Sequence, residues 1–122
     1  MNYIISENRV DDIILKYIES TYNVDDIHYT EYEDDDGNPD DSAYVFYYGD
    51  FSDGDPVFRW YSKNYFQGND ELSRIRFSMA PLLYFEDSRE IDKLHSLFGN
   101  KWEPVFINWF YRNFSLRVKN VI

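Results

Sequence analysis

The side chains best equipped for chemistry are carboxylates, and they crowd into one stretch of the chain. Asp34, Asp35 and Asp36 are followed by Asn38, Asp40 and Asp41, and a second group, Asp50, Asp53 and Asp55, lies shortly downstream. So many hard oxygen donors would suit a divalent cation such as calcium. An EF-hand loop, however, needs glycine at its sixth position and glutamate at its twelfth. Anchoring on Gly37 puts Tyr32 first and Ala43 twelfth, while anchoring on Gly54 puts Gly49 and Trp60 there, so neither segment qualifies. Weak, adventitious binding of a divalent ion is the most that these loops offer.

Other reaction chemistries leave even less trace. His28 and His95 fall in different parts of a chain with no cysteine, so neither has the neighbours of a transition-metal site, and each reads as a surface or half-buried histidine. The phosphate-cradling patterns GxGxxG and GxxxxGK[ST] are absent, as is the nucleophile elbow GxSxG. A Ser/His/Asp triad assembled only in three dimensions would be invisible at this level. Paired carboxylates for glycoside hydrolysis would need a cleft in a small chain. The expectation is a protein that is not an enzyme, with no catalytic residue, no metal and no cofactor.

The charge itself is then the feature to explain. Residues 1–55 carry 16 acidic and 2 basic side chains, Arg9 and Lys16, for a net −14, whereas residues 56–122 carry 7 acidic and 10 basic, for +3. From Asp25 to Asp55 there are 12 carboxylates and no Lys or Arg. Their cationic partners must come from the C-terminal half or from another molecule. Like charges at this density repel unless solvent, salt or a basic partner screens them. A solvated face kept for solubility explains the run without any function. A surface kept for something cationic explains it with one.

The elements that must carry these residues follow from hydrophobic spacing. Val10, Ile13, Ile14, Tyr17, Ile18 and Tyr22 recur at helical intervals, which predicts an amphipathic helix over about 7–22, with Ser6 as N-cap and Glu7, Asp11 and Asp12 at the positive end of its dipole. From Ile27 the period changes to two, and the segment DDDGNPDDS reads as a turn or loop. AYVFYYG (43–49) and PVFRWYSKNYF (56–66) read as strands, joined by a loop with the hairpin signal Asp53-Gly54. LSRIRFSM (72–79) fits a helix through Leu72, Ile75 and Met79, but the alternation of Ile75, Phe77 and Met79 with Arg74 and Arg76 favours a strand. Pro81 interrupts it, and LLYF follows as a short apolar segment.

Further on, Asp87 and Glu90 resemble a capping box ahead of Ile91, Leu94, Leu97 and Phe98, with Gly99 as the stop. Asn100, Glu103 and Pro104 begin another helix, striped by Trp102, Val105, Phe106, Trp109, Phe110 and Phe114. LRVKNVI alternates as a final strand at the sheet edge. The predicted fold class is α+β: an N-terminal helix, an antiparallel β-meander of three to four strands, and a C-terminal helical hairpin followed by a short final strand, all within one compact domain spanning 1–122.

Composition places that domain. A chain of 122 residues with 43% hydrophobic and 20% aromatic content is too apolar to stay disordered despite a net charge of −11. The absence of cysteine fits a reducing compartment such as the cytoplasm, and no apolar run is long enough for a signal peptide core or a membrane span. Tyr44, Phe46, Tyr48, Phe58 and Trp60 share one set of strand positions and Val45, Tyr47, Val57, Tyr61 and Tyr65 the other. A sheet covered by helices on one side cannot bury both sets, so some tyrosines should face water or a partner. Tyrosine gives rigid amphipathic contact area at low entropic cost, although strand propensity alone also favours it.

The expected partner is therefore a basic protein, a nuclease or other nucleic-acid-binding complex, met by Asp34, Asp35, Asp36, Asp40, Asp41, Asp50, Asp53 and Asp55, with Tyr44, Tyr48 and Tyr61 as anchors. A dense carboxylate array can occupy a groove built for phosphates, whereas nucleic acid itself would be repelled. Phe, Tyr, Ile and Asn make 42 of the 122 residues, a bias toward A/T-rich codons. Small, acidic, cysteine-free proteins of this kind resemble, in general character rather than in any motif, the accessory proteins of bacteriophages, among them anti-restriction proteins and anti-CRISPRs. That resemblance implies an inhibitor working in a host cytoplasm. The alternatives are an immunity protein that neutralises a toxin nuclease, a structural virion or assembly component, and a small hydrolase using carboxylates or a divalent metal.

Overall fold

The computed structural model describes residues 7–33, 39–48, 56–66 and 68–122. Helix α1 (Glu7–Thr21) leads into strands β1 (Ile27–Glu33), β2 (Pro39–Tyr48) and β3 (Pro56–Tyr61). Helix α2 (Glu71–Met79), strand β4 (Leu82–Phe85), helices α3 (Ser88–Phe98) and α4 (Trp102–Phe114) and strand β5 (Asn120–Val121) complete the chain. The strands form one sheet in the order β1-β2-β3-β4-β5, antiparallel from β1 to β4, with β5 parallel to β4 at the edge. The architecture is the α+β arrangement that the hydrophobic spacing predicts.

One face of the sheet holds the main core. Ile14 and Ile18 on α1 and Trp102, Phe106, Trp109 and Phe110 on α4 fall at helical intervals and are buried, and the two helices pack side by side. They close over Phe46, Phe58, Leu83 and Phe85, which alternate along their strands as a half-buried sheet requires. The rings meet edge to face: Phe46 lies 5.1 Å from Phe110, and Phe58 lies 5.6 Å from Phe106. Each such pair adds about 0.5–1.5 kcal/mol beyond area burial. Trp60 keeps its polar edge satisfied, its indole N–H donating to the Arg117 carbonyl at 2.9 Å.

The other face is covered in part by the β3–β4 connection rather than left to water. Phe66, Ala80 and Leu82 form a second buried cluster, with Tyr61 and Met79 against it. Tyr47, on this face, is also buried. The strand positions that a one-sided sheet would expose are thus half sheltered by the chain's own loop.

Several boundaries differ from the sequence expectation. Residues 72–79 are helical, not a strand: the Asp70 carboxylate caps α2 by accepting the Ser73 N–H at 2.6 Å, and the Arg74 guanidinium reaches the Asn69 carbonyl at 2.8 Å. Since no residue of α2 is buried, the alternation of Arg and apolar side chains carried no information about a core, and the local cap decided the conformation. The strand expected over 56–66 stops at Tyr61, where a short 3-10 turn (Lys63–Tyr65) begins. β2 starts at Pro39, so Asp40 and Asp41 belong to a strand and not to the loop. Gly99 ends α3 with φ +61°, as expected, but a 3-10 turn (Gly99–Lys101) runs straight into α4 in place of a cap by Asn100. The final strand is confined to Asn120–Val121. The proposed N-cap Ser6 lies outside the described residues.

Candidate binding surface

Asp34, Asp35, Asp36, Asp50, Asp53 and Asp55 lie outside the described residues, and of Asp40 and Asp41 only the backbone is described. The strand ends that carry these groups are defined. β1 and β2 pair as far as Glu33 and Pro39 at one end, and β2 and β3 as far as Tyr47 and Pro56 at the other. The two acidic connections therefore leave from opposite ends of β2, whose 10 residues span on the order of 30 Å.

The second of these ends is electronegative in its described residues as well. α1 finishes there with no basic residue in its last turn, so the negative end of its dipole is uncompensated by its own side chains. Asn23 then shapes a 3-10 turn (Val24–Asp26): its Oδ1 accepts the Asp25 N–H at 3.1 Å, and its Nδ2 donates to Asp26 Oδ2 at 3.0 Å. Asp25 and Asp26 stay exposed as a result. The Tyr22 hydroxyl, inside the core, donates to the Glu90 carboxylate, and the Tyr48 hydroxyl donates to the Thr21 carbonyl at 3.3 Å.

Acidity at this corner is felt by both phenols. Burial, then the hydrogen bond and charge of Glu90, push the Tyr22 hydroxyl far above the ordinary tyrosine range. Burial followed by the charges of Glu90 and Asp26 raises Tyr48. Among the described residues the ion pairs are Arg59 with Glu86 and Arg89 with Asp87, the latter at 2.8 Å, and neither reaches Asp25, Asp26 or Glu31. Arg112 borders the same corner, lining a hollow of about 380 Å³ with Glu19 and Asp25.

The three tyrosines expected as anchors do not share a face. Tyr44 and Tyr48 are half-buried on the helix side, Tyr44 with its ring 5.7 Å from Trp60 and 5.7 Å from Tyr29. Tyr61 is half-buried on the opposite side, 4.7 Å from Tyr65. Among the described side chains of β1–β3 the most open tyrosine is Tyr29, which the strand pattern alone did not single out; it is 50% exposed beside Glu31.

The histidines have structural surroundings. Trp102 donates its indole N–H to His95 Nδ1 at 3.2 Å, the Gly99 carbonyl oxygen lies 3.3 Å from the same nitrogen, and His28 lies 6.2 Å from the Tyr47 ring. No three His, Asp or Glu side chains among the described residues are placed to hold a metal ion. Two grooves, about 570 Å³ beside α4 with Glu103, Tyr111 and Arg117 and about 520 Å³ between α1 and α4 with Asp11, Asp12, Lys101 and Arg112, have neither serine nor histidine among the described residues that line them. Among the described residues no helix is long and apolar enough to cross a membrane. Compared with known protein families, curated proteins and solved structures, the chain matches none of them.

Proposed function

We propose that this protein is a non-enzymatic acidic binding protein that inhibits or modulates a basic, nucleic-acid-handling partner, as a phage-type anti-defence protein of the anti-CRISPR or anti-restriction kind would, by mimicking nucleic acid. The observation that carries the reading is the run of 12 carboxylates from Asp25 to Asp55 without a single Lys or Arg. Two features of the fold support it. The acidic connections leave from strand ends on the order of 30 Å apart, close to the length of one turn of duplex DNA, and the exposed Asp25, Asp26 and Glu31 extend the acidity along the same edge of the sheet. A protein groove lined with Lys and Arg for phosphates would meet a comparable row of charges here.

In this reading the partner is a nuclease or nucleic-acid-binding complex in the cytoplasm of the host, and nucleic acid and membrane are not bound directly. The test begins with affinity purification from the native host and identification of the captured complex. Charge reversal of Asp34, Asp35 and Asp36 to Lys should then abolish binding, and the affinity of the unaltered protein should fall steeply as salt is added. A complex indifferent to salt would sink the electrostatic mechanism. Recovery of a toxin nuclease in place of a defence complex would establish the immunity-protein alternative instead.

A further inference from the structure

Among the described residues the largest group of exposed apolar side chains surrounds α2. On the helix itself Leu72, Ile75 and Phe77 are 56%, 49% and 44% exposed, and Tyr65, Tyr84 and Ile122 nearby are similarly open. α2 has 9 residues and buries none of them, which is shorter than a helix needs to be stable by itself in water. It is tethered through polar contacts at its ends: the Asp70 cap, Lys119 Nζ donating to the Ser78 carbonyl at 2.9 Å, and Asn120 Nδ2 donating to the Met79 carbonyl at 2.8 Å. Met79 leans on the Phe66, Ala80 and Leu82 cluster, while Leu72 and Ile75 on one side of the helix and Phe77 on the other stay exposed. Beside α2 runs a groove of about 400 Å³ whose lining includes Arg59, Arg76, Glu86, Tyr65, Leu82 and Tyr84.

The charges around this patch are mostly basic, although Asp70 and Glu71 begin the helix and Glu86, paired with Arg59, lies in the groove. Lys63 stands 5.3 Å over the Phe77 ring, and Arg74, Arg76 and Lys119 surround the same helix; none of the four is in an ion pair among the described residues. The patch calls for an occupant that is apolar at its centre and acidic at its rim. The far edge of the same sheet has that character. There Tyr29 is 50% exposed on β1, flanked by the exposed Asp26 and Glu31, and no described strand pairs with the outer side of β1.

We propose that the occupant is a second copy of this chain, bound head to tail, with its β1 edge on the α2 patch of the first. The two surfaces sit at opposite edges of one sheet, so they cannot meet within a molecule, and only a neighbour can bring them together. A symmetric contact is disfavoured, because α2 against α2 opposes cation to cation and β1 against β1 opposes carboxylate to carboxylate. A head-to-tail contact leaves one free surface at each end, so association continues into rings or open chains as concentration rises. The proposal does not depend on the nature of any basic partner.

Sedimentation velocity tests it on the full chain, with two neutralised variants, Ile75→Ser with Arg76→Ser on α2 and Asp26→Asn with Glu31→Gln on the β1 edge. The wild type should associate with concentration at low salt and dissociate as salt is added. Each variant should weaken association by at least about tenfold. An equimolar mixture of the two should form a dimer that grows no further, since each copy retains one working surface. Should either double variant lose its near-UV circular dichroism, Ile75→Ala and Glu31→Gln alone serve in its place. A wild type that stays monomeric, including one that binds phosphatidylserine vesicles instead, overturns the proposal. So does association that neither variant weakens, or a mixture that stays monomeric.

Discussion

Tyr22 shows how a single residue ties the fold together. It follows α1, is 2% exposed, and its ring touches Phe58 from the sheet and Phe106 and Trp109 from α4, while its hydroxyl is spent on Glu90. Replacing it by phenylalanine keeps the ring and removes the donor, leaving the Glu90 carboxylate short of a partner. Tyr22→Phe should therefore cost about 1–3 kcal/mol in denaturant unfolding. Burial of the hydroxyl, together with its hydrogen bond to Glu90, also gives that cost a pH signature. In the unfolded chain a tyrosine ionises near pH 10, but in the folded protein Tyr22 is held protonated to higher pH. Its contribution is complete below about pH 10 and declines as pH rises beyond it, so the gap between wild type and variant should narrow in alkali. A gap that is constant with pH would show that the hydroxyl contributes nothing to the linkage.

Among the elements, those with a buried stripe were readable and those without one were not. Ile14 and Ile18 on α1, and Trp102, Phe106, Trp109 and Phe110 on α4, repeat at helical intervals because one side of each helix is against the sheet. α2 buries no residue fully, and the alternation of Ile75, Phe77 and Met79 with Arg74 and Arg76 favoured a strand over the helical spacing of Leu72, Ile75 and Met79. The signal that could have separated them was local: Asp70 three residues ahead of Ser73, the spacing of an N-cap. Gly99 was legible for the opposite reason, since its backbone conformation at φ +61° and ψ −138° is one that only glycine adopts readily. A Cβ there would meet no atom within 4 Å, so the penalty for Gly99→Ala is purely conformational. It should be about 1–3 kcal/mol by thermal or denaturant unfolding, and a neutral effect would mean that the α3–α4 turn can relax to another conformation.

For the whole molecule, the uneven charge governs behaviour in solution. With a net charge of −11 and few ion pairs among the described residues, self-repulsion should outweigh the loss of attraction when salt is added. The thermal midpoint should therefore rise as ionic strength increases through the range where the Debye length falls below about 10 Å. A midpoint that falls would mean that the C-terminal cations are already engaged by the acidic half. The same salt that steadies the folded monomer should weaken both the proposed basic-partner complex and the head-to-tail contact, and calorimetry alongside sedimentation separates these effects.

By itself the sequence determined the α+β class, the order of nearly all the elements, and the division into an acidic half and a mildly basic one. Those are properties of spacing and composition along the chain, where periodic burial and the count of charges leave a direct imprint. Only the tertiary structure decided that the helices cover the side of the sheet that holds Tyr44 and Tyr48, that the β3–β4 connection shelters the Tyr61 side, and that Leu72, Ile75 and Phe77 of α2 stay exposed. Which side of a sheet a loop folds across depends on contacts between residues far apart in the chain. The fit of Phe66, Ala80 and Leu82 against Tyr61 is such a contact, and no local pattern records it.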